Sequence, residues 1–395
     1  MRVLLAVDRV GALPAVQVAA ALTQGWAAER PDDELEELAL SDGSAGVLDV
    51  LPPGGREIVV VPGPLGEPVP ASLVRAGRTV WIDADDVLGA RLAPGRVAEC
   101  LEEGTSAGLG ALLAHAAHSG AGRVVVGLGV AGVHDAGAGL LTELGGGPDD
   151  VPRAAERLEG LDVVLALAVD EPLTGLHGTG AQLAERHGID PARAQELDGR
   201  TGRTADRILR SAGDRRGRTA LPLLGHGHAG HEHAGGGHAG HGTTGEGAPA
   251  SRLTTRTDGG GAGGGTALAL LALGARAFDG ADVVASELGL GVALDRLAGV
   301  GLVVTSAGEV GPDEARRSVM ATVGRAAATR ALPVVAVGRT VTSSRRELAP
   351  AGVSASAALV PGRHPDEPPA ADDPAALRSA LVDRGTRLAR TWSRP

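Results

Sequence analysis

Four aspartates stand where short β-branched runs end or in the loops that follow: Asp8, Asp42, Asp135 and Asp170. Glycine-rich or hydroxyl-bearing segments occupy equivalent places at 127–135 and 305–308 and at Gly338. Open α/β sheets bind ligands beyond the carboxyl ends of their strands, so one cleft can gather these groups. Glycine-loop N–H groups there could cradle anionic oxygens, and a helix dipole would add to the attraction. The densest signal is GLGVAGVHDAGAGLLTELG at 127–145, which contains Gly129, His134, Asp135 and Gly137. Gly127, Gly129 and Gly132 also have dinucleotide-fold spacing, but with 62 glycines chance supplies on the order of one such match. No acidic residue closes a second strand at the distance that reading requires. Each residue has a plainer use as well: Asp8, Asp42 and Asp170 can cap or turn the chain, and Thr105 and Ser106 can cap a helix. Asp313 can complement a helix dipole, and His134 can simply face solvent.

A second constellation is GHGHAGHEHAGGGHAGHGTTGEG at 225–247. His226, His228, His231 and His233, followed by His238 and His241, suit imidazole ligation of zinc, nickel or copper. Their spacing matches no structural zinc template, so weak binding on a mobile surface loop is expected, with metal storage or delivery as the functional alternative.

The composition excludes several classes. The chain has no lysine, which rules out a Walker A loop, a protein-kinase ATP clamp and Schiff-base chemistry. A net charge of -11 and only four aromatic residues argue against a nucleic-acid partner. The single Cys100 cannot close an internal disulfide, which suits a reducing compartment. The apolar stretches are too short for a signal peptide or a membrane span, so a cytoplasmic protein without a membrane partner is expected.

With 395 residues, 43% of them apolar, the chain should form two domains. Strands are expected at 2–7, 35–40, 57–61, 79–83, 123–128, 162–169, 301–305, 333–337 and 357–360. Helices are expected at 14–29, 313–330 and 375–392. This alternation is that of an α/β fold with a mainly parallel sheet.

The segment at 127–145 resembles the glycine-rich GGSATNDGGAG signature of the glycerate kinases, matching at Gly129, Asp135, Gly137, Ala138 and Gly139. The likeness continues in family order. Residues 41–43 resemble ADGGEGT, 63–66 reproduce GPLG, and Thr105, Ser106, Gly108 and Gly110 fit TTSYGTGEL. Residues 169–178 fit VDNPLCGPNG, 261–265 with Gly263 resemble GAGAAGG, and 302–308 with Thr305 stand where VITGEG is expected. The resemblance implies a Rossmann-like parallel-sheet domain, 1–60 and 285–395, with a second α/β domain, 61–284, inserted into it. It also implies transfer of the γ-phosphoryl of ATP, with Mg2+, to a hydroxyl of glycerate or a related small organic acid, with homo-oligomerisation as a further possibility. Asp8, Asp42 and Asp135 would be catalytic. Arg9, Thr105, Ser106, Gly129, His134, Gly137, Asp170, Gly263, Thr305 and Asp313 would bind substrate or nucleotide.

Several charge-handling positions depart from the family pattern. The loop that reads DSFKGS in the family keeps only Asp8, leaving Arg9 as the nearby cation. In the late motif a glutamate becomes Ala307, an aspartate Gly311 and a lysine Ser318, with Asp313 and Arg317 close in sequence. A catalytically impaired, ligand-binding relative is therefore the alternative expectation, and Arg9, Arg186 and Arg317 are the candidates to replace the ammonium groups.

Overall fold

The structure is a computed structural model that describes residues 1–213, 216–220, 251–297, 299, 301–359 and 373–393. The histidine-rich run with His226, His228, His231 and His233 lies outside the described residues, as does 361–372.

Thirteen strands are described: β1 (Arg2–Val7), β2 (Glu34–Ala39), β3 (Arg56–Pro62), β4 (Pro68–Ala76), β5 (Thr79–Asp83), β6 (Arg123–Leu128), β7 (Asp162–Leu167), β8 (Arg216–Ala220), β9 (Ser251–Arg252), β10 (Arg276–Asp279), β11 (Gly301–Val310), β12 (Val334–Val341) and β13 (Ala355–Ala358). One sheet has the order β13-β12-β11-β1-β2 and is parallel throughout. The other has the order β3-β4-β5-β6-β7-β10-β8-β9. It is parallel from β5 to β8 and antiparallel at both ends. The fold is thus α/β, with the first sheet drawn from both ends of the chain and the second from its middle. β3 begins at Arg56, so the chain passes from the first sheet to the second before residue 56.

Period-two alternation sends each strand's side chains to two cores. Val80, Ile82, Val124, Val126, Val163 and Leu165 enter the core on one side of the eight-stranded sheet. Their neighbours Trp81, Val125 and Val164 point the other way and share a core with Leu4, Ala6, Val303 and Val334 of the five-stranded sheet. The sheets are therefore joined through one apolar layer. Val3, Leu5 and Val7 face a third core, closed by the helices Ala15–Glu29 and Pro374–Trp392. Those two helices cross through glycine: a Cβ on Gly25 would lie 1.9 Å from the Val382 carbonyl oxygen, and one on Gly385 would lie 2.3 Å from that of Leu22.

β8, β9 and β10 lie outside the expected strands, and two further departures have a local physical reason. β4 is absent from the expected strands because it carries Pro68 and Pro70. Both prolines precede the ladder with β5, which begins at Leu73, so their missing N–H groups cost that ladder nothing. The helix expected at 313–330 is two helices, Pro312–Arg316 and Val319–Ala328. The chain is extended at Arg317 and Ser318, and the Ser318 hydroxyl caps the second helix by accepting from the Ala321 N–H at 3.1 Å.

Candidate functional site

Asp8 follows the last residue of β1, and its backbone is anchored to the adjacent strand. Its N–H donates to Ser306 Oγ at 3.0 Å, and its carbonyl accepts from the same hydroxyl at 2.7 Å. The carboxylate is left with the Arg9 N–H, which donates to Oδ1 at 2.7 Å. Burial pushes the Asp8 carboxyl up to about 8, and the negative charge of Asp42 adds to the rise. The Arg9 N–H and the Arg9 charge oppose it. A carboxyl in this range can hold or release a proton near neutral pH.

The loop after β2 is built from two short side-chain turns. Ser41 Oγ accepts from the Gly43 N–H at 3.1 Å, and Asp42 Oδ1 accepts from the Ser44 N–H at 2.9 Å and from the Ser44 hydroxyl. The loop fits only because glycine stands on both sides of the contact. A Cβ on Gly43 would lie 2.6 Å from the Ala166 carbonyl oxygen, and one on Gly280 would lie 1.9 Å from that of Asp42. The Arg9 guanidinium reaches this loop, donating to the Ala45 carbonyl at 3.2 Å and to Ser44 Oγ at 3.1 Å.

From the other sheet, Asp83 closes β5 and is buried. Its Oδ2 accepts from the Gly46 N–H at 2.6 Å and its Oδ1 from the Asp85 N–H at 3.0 Å. Burial pushes this carboxyl up to about 7 against those two N–H bonds, with Asp86 and Asp85 adding to the rise. Arg9, Asp42, Ser44, Asp83, Asp85 and Gly129 line a cavity of about 290 Å³, completed by small and apolar residues that include Leu88, Leu128 and Ala168. Loops from both sheets thus meet at one concave surface, with several carboxylates, a hydroxyl and one guanidinium.

The remaining sequence candidates lie elsewhere in the framework. Asp135 does not line this cavity. Its carboxylate accepts from the Ser106 N–H at 2.9 Å, the Ser106 hydroxyl at 2.8 Å, the Gly137 N–H at 2.9 Å and the Gly139 N–H at 3.0 Å. Thr105 Oγ1 accepts from the Ala107 N–H at 3.2 Å. Thr105, Ser106, Asp135 and Gly137 therefore join the starts of helices Ala107–His118 and Ala138–Glu143. His134 is buried with no hydrogen-bond partner for either ring nitrogen. Burial pushes its imidazole down to about 4, with Arg200 and His187 adding to the fall, so the ring is neutral at physiological pH. Gly263 is buried, and its N–H donates to the Gly129 carbonyl at 2.8 Å, packing one glycine loop on the other. Thr305 is buried with an unpartnered hydroxyl.

Asp313 turns to solvent with 83% of its side chain exposed, paired with Arg316. Arg186 pairs with Glu171. Arg317, turned inward by the helix break, holds Asp279 at 2.5 Å, lies 3.7 Å from Asp170 and donates to the Leu167 carbonyl. Of the three candidate replacement cations, Arg9 is the one that lines the cavity.

Sequence reasoning left out Asp83 and Ser44, and it selected the segment 305–308 without singling out Ser306. Asp83 carries the same signal that selected Asp8, an aspartate at the end of a β-branched run, and could have been found by applying that rule to 79–83. Among the described residues no group of three or more His, Cys, Asp or Glu side chains is arranged to hold a metal ion. The carboxylates around the cavity fit an ion that takes one or two protein oxygens and completes its shell with ligand oxygens, the common arrangement for magnesium. Among the described residues no helix is long and apolar enough to cross a membrane.

The chain matches the family model described as the glycerate kinase family over residues 3–150 and 147–393. It is 30% identical to an uncharacterised protein of Mycobacterium bovis, over 98% of this chain and 89% of that one. It is 30% identical to a glycerate kinase of Bacillus subtilis, over 54% of this chain and 62% of that one. With an Escherichia coli glycerate 2-kinase the identity is 28%, over 53% and 62%. The crystal structure of a protein designated glycerate kinase 2 from Salmonella typhimurium LT2 superposes with a TM-score of 0.72 at 24% identity, covering 99% of this chain and 98% of that one.

Proposed function

The chain belongs to the glycerate kinase family, and on that premise we propose that it transfers the γ-phosphoryl group of ATP to a hydroxyl of glycerate or a related small hydroxy acid. The observation that supports this reading is the convergence of Asp42, Asp83 and Arg9 on one cavity, with Asp8 beside them. Phosphoryl transfer needs little covalent work from the protein beyond positioning and charge compensation. Asp8, with its carboxyl near 8, is suited to accept the hydroxyl proton as the acceptor oxygen attacks. Arg9 has guanidinium N–H groups beyond the two that hold the loop, and these are available to an anionic carboxylate or phosphate. Asp42, which lines the cavity, would hold Mg2+. When bound, that ion supplies positive charge against the phosphate oxygens.

One observation favours a second reading, a family member that binds its ligands and turns over slowly or not at all. Arg317, the residue nearest the lost lysine position, is engaged by Asp279, Asp170 and a backbone carbonyl, and Ser318 at that position serves as a helix cap. Each missing preorganised charge costs about 3 kcal/mol, or roughly a hundredfold in rate. A coupled ADP-release assay with ATP, magnesium and D-glycerate separates the readings when run beside thermal melts with the same ligands. Turnover above a blank supports the kinase. A ligand-induced rise in melting temperature without ADP supports the binding protein, and neither response would remove both.

A further inference from the structure

The loop that carries Asp42 and Ser44 also carries the two acceptors of the Arg9 guanidinium, Ser44 Oγ and the Ala45 carbonyl. At its start the loop is held by its own side chains, through Ser41 and Asp42. At its far end, Gly46 has a positive φ of 90° and donates its N–H to the Asp83 carboxylate at 2.6 Å. Asp83 comes from the eight-stranded sheet, Arg9 from the end of β1 in the five-stranded one. The other Asp83 oxygen is fixed by the Asp85 N–H, so the carboxylate cannot swing away. A buried acceptor at a strand end makes a firm post for the loop.

We infer that Asp83 is a positioning residue: by holding the Gly46 N–H it fixes the loop 42–46 on which the Arg9 guanidinium rests, and so sets the affinity of the cavity for an anionic ligand. Asp83 acts through Arg9 rather than on the reacting atoms. The affinity part rests on the proposed function; the tether itself does not.

The full-length chain is compared as wild type, Asp83→Ala, Arg9→Met and the double variant; alanine removes both acceptor oxygens, whereas asparagine would keep one. The first readout needs no activity. Phenylglyoxal modification of Arg9 is followed by peptide mass mapping, with the exposed Arg346 as the internal reference. Freed from its tether in Asp83→Ala, Arg9 should react about threefold faster relative to Arg346, because its loop opens locally at lower cost. An unchanged ratio in a folded variant overturns the tether. The second readout is KM for D-glycerate and the Kd of ATP with magnesium. Asp83→Ala should raise these about tenfold with a smaller effect on kcat, and the double variant should lose no more than Arg9→Met alone. Additive losses overturn action through Arg9. If no turnover occurs with any chain, the proposed activity fails, while the modification ratio still decides the tether. If Asp83→Ala does not fold, amide exchange in the unaltered chain decides instead. The Gly46 N–H should exchange at least about tenfold more slowly than an unstructured glycine, and exchange at the free rate overturns the tether.

Discussion

Replacing Asp8 by Asn isolates the consequence of placing a carboxyl in this setting. Asn keeps the size of the side chain and the Oδ1 acceptor for the Arg9 N–H at 2.7 Å, but removes the ionisable group. In the folded protein the carboxyl is raised from 3.8 to about 8 by burial and by Asp42, whereas in the unfolded chain it stays near 3.8. The native state therefore gains stability from keeping Asp8 protonated. That gain is whole below about pH 4, shrinks as pH rises, and is gone above about pH 8, where the folded protein must carry the charge. At 1.36 kcal/mol per tenfold change in the ionisation constant, the ceiling on the penalty is about 6 kcal/mol. The side chain adjoins an open cavity, so solvent screening leaves about 2 kcal/mol as the expected penalty. Asp8→Asn should then melt with wild type at pH 4.5 and about 3 °C above it at pH 9, since about 1–2 °C per kcal/mol suits a chain this long. Differential scanning calorimetry at three pH values without ligand measures this. Equal melting temperatures at pH 9, or the same offset at every pH, would refute the reasoning. The first would mean that Asp8 is well solvated, and the second that the effect lies in packing. Under the proposed function the same variant should lose roughly a hundredfold in kcat.

Asp135→Ala strips one acceptor from four donors, among them the buried Ser106 hydroxyl. Denaturant unfolding should show a loss of about 3 kcal/mol. Gly25→Ala drives a methyl into the Val382 carbonyl, to 1.9 Å before relaxation, and should cost about 2 kcal/mol; unchanged stability would mean that the two helices can separate freely. Arg317→Leu leaves Asp279, only 3% exposed, without its cation, and should cost about 3 kcal/mol at neutral pH. Burial already raises the Asp279 carboxyl. It will take up a proton as pH falls, so the loss should shrink toward pH 5, which chemical denaturation at two pH values will show.

The elements were legible from local pattern because strand periodicity and helix signals act over a few residues. β1, β5 and β6 fall at the expected bounds, and β2, β3 and the terminal helices within a residue or two. β4 escaped because proline content is a local signal, while the tolerance for it depends on which edge pairs with β5. The break at Arg317 escaped because a serine able to cap a helix is also a serine able to sit inside one.

The site divides along the same line. An aspartate at a strand end is visible in the sequence, and that singled out Asp8 and Asp42 as it should have singled out Asp83. Asp135 carries the same type of side chain inside the best-matched motif, yet its oxygens are taken up by four donors brought from 29 residues before it to 4 after it. Composition and spacing determined on their own that the chain would be α/β, would lack a side-chain ammonium group and would place carboxylates at strand ends. Which of those ends meet, and which carboxyls are pushed toward neutrality, was decided by the tertiary structure. Both depend on sheet order and burial, and those arise only when segments hundreds of residues apart exclude water together.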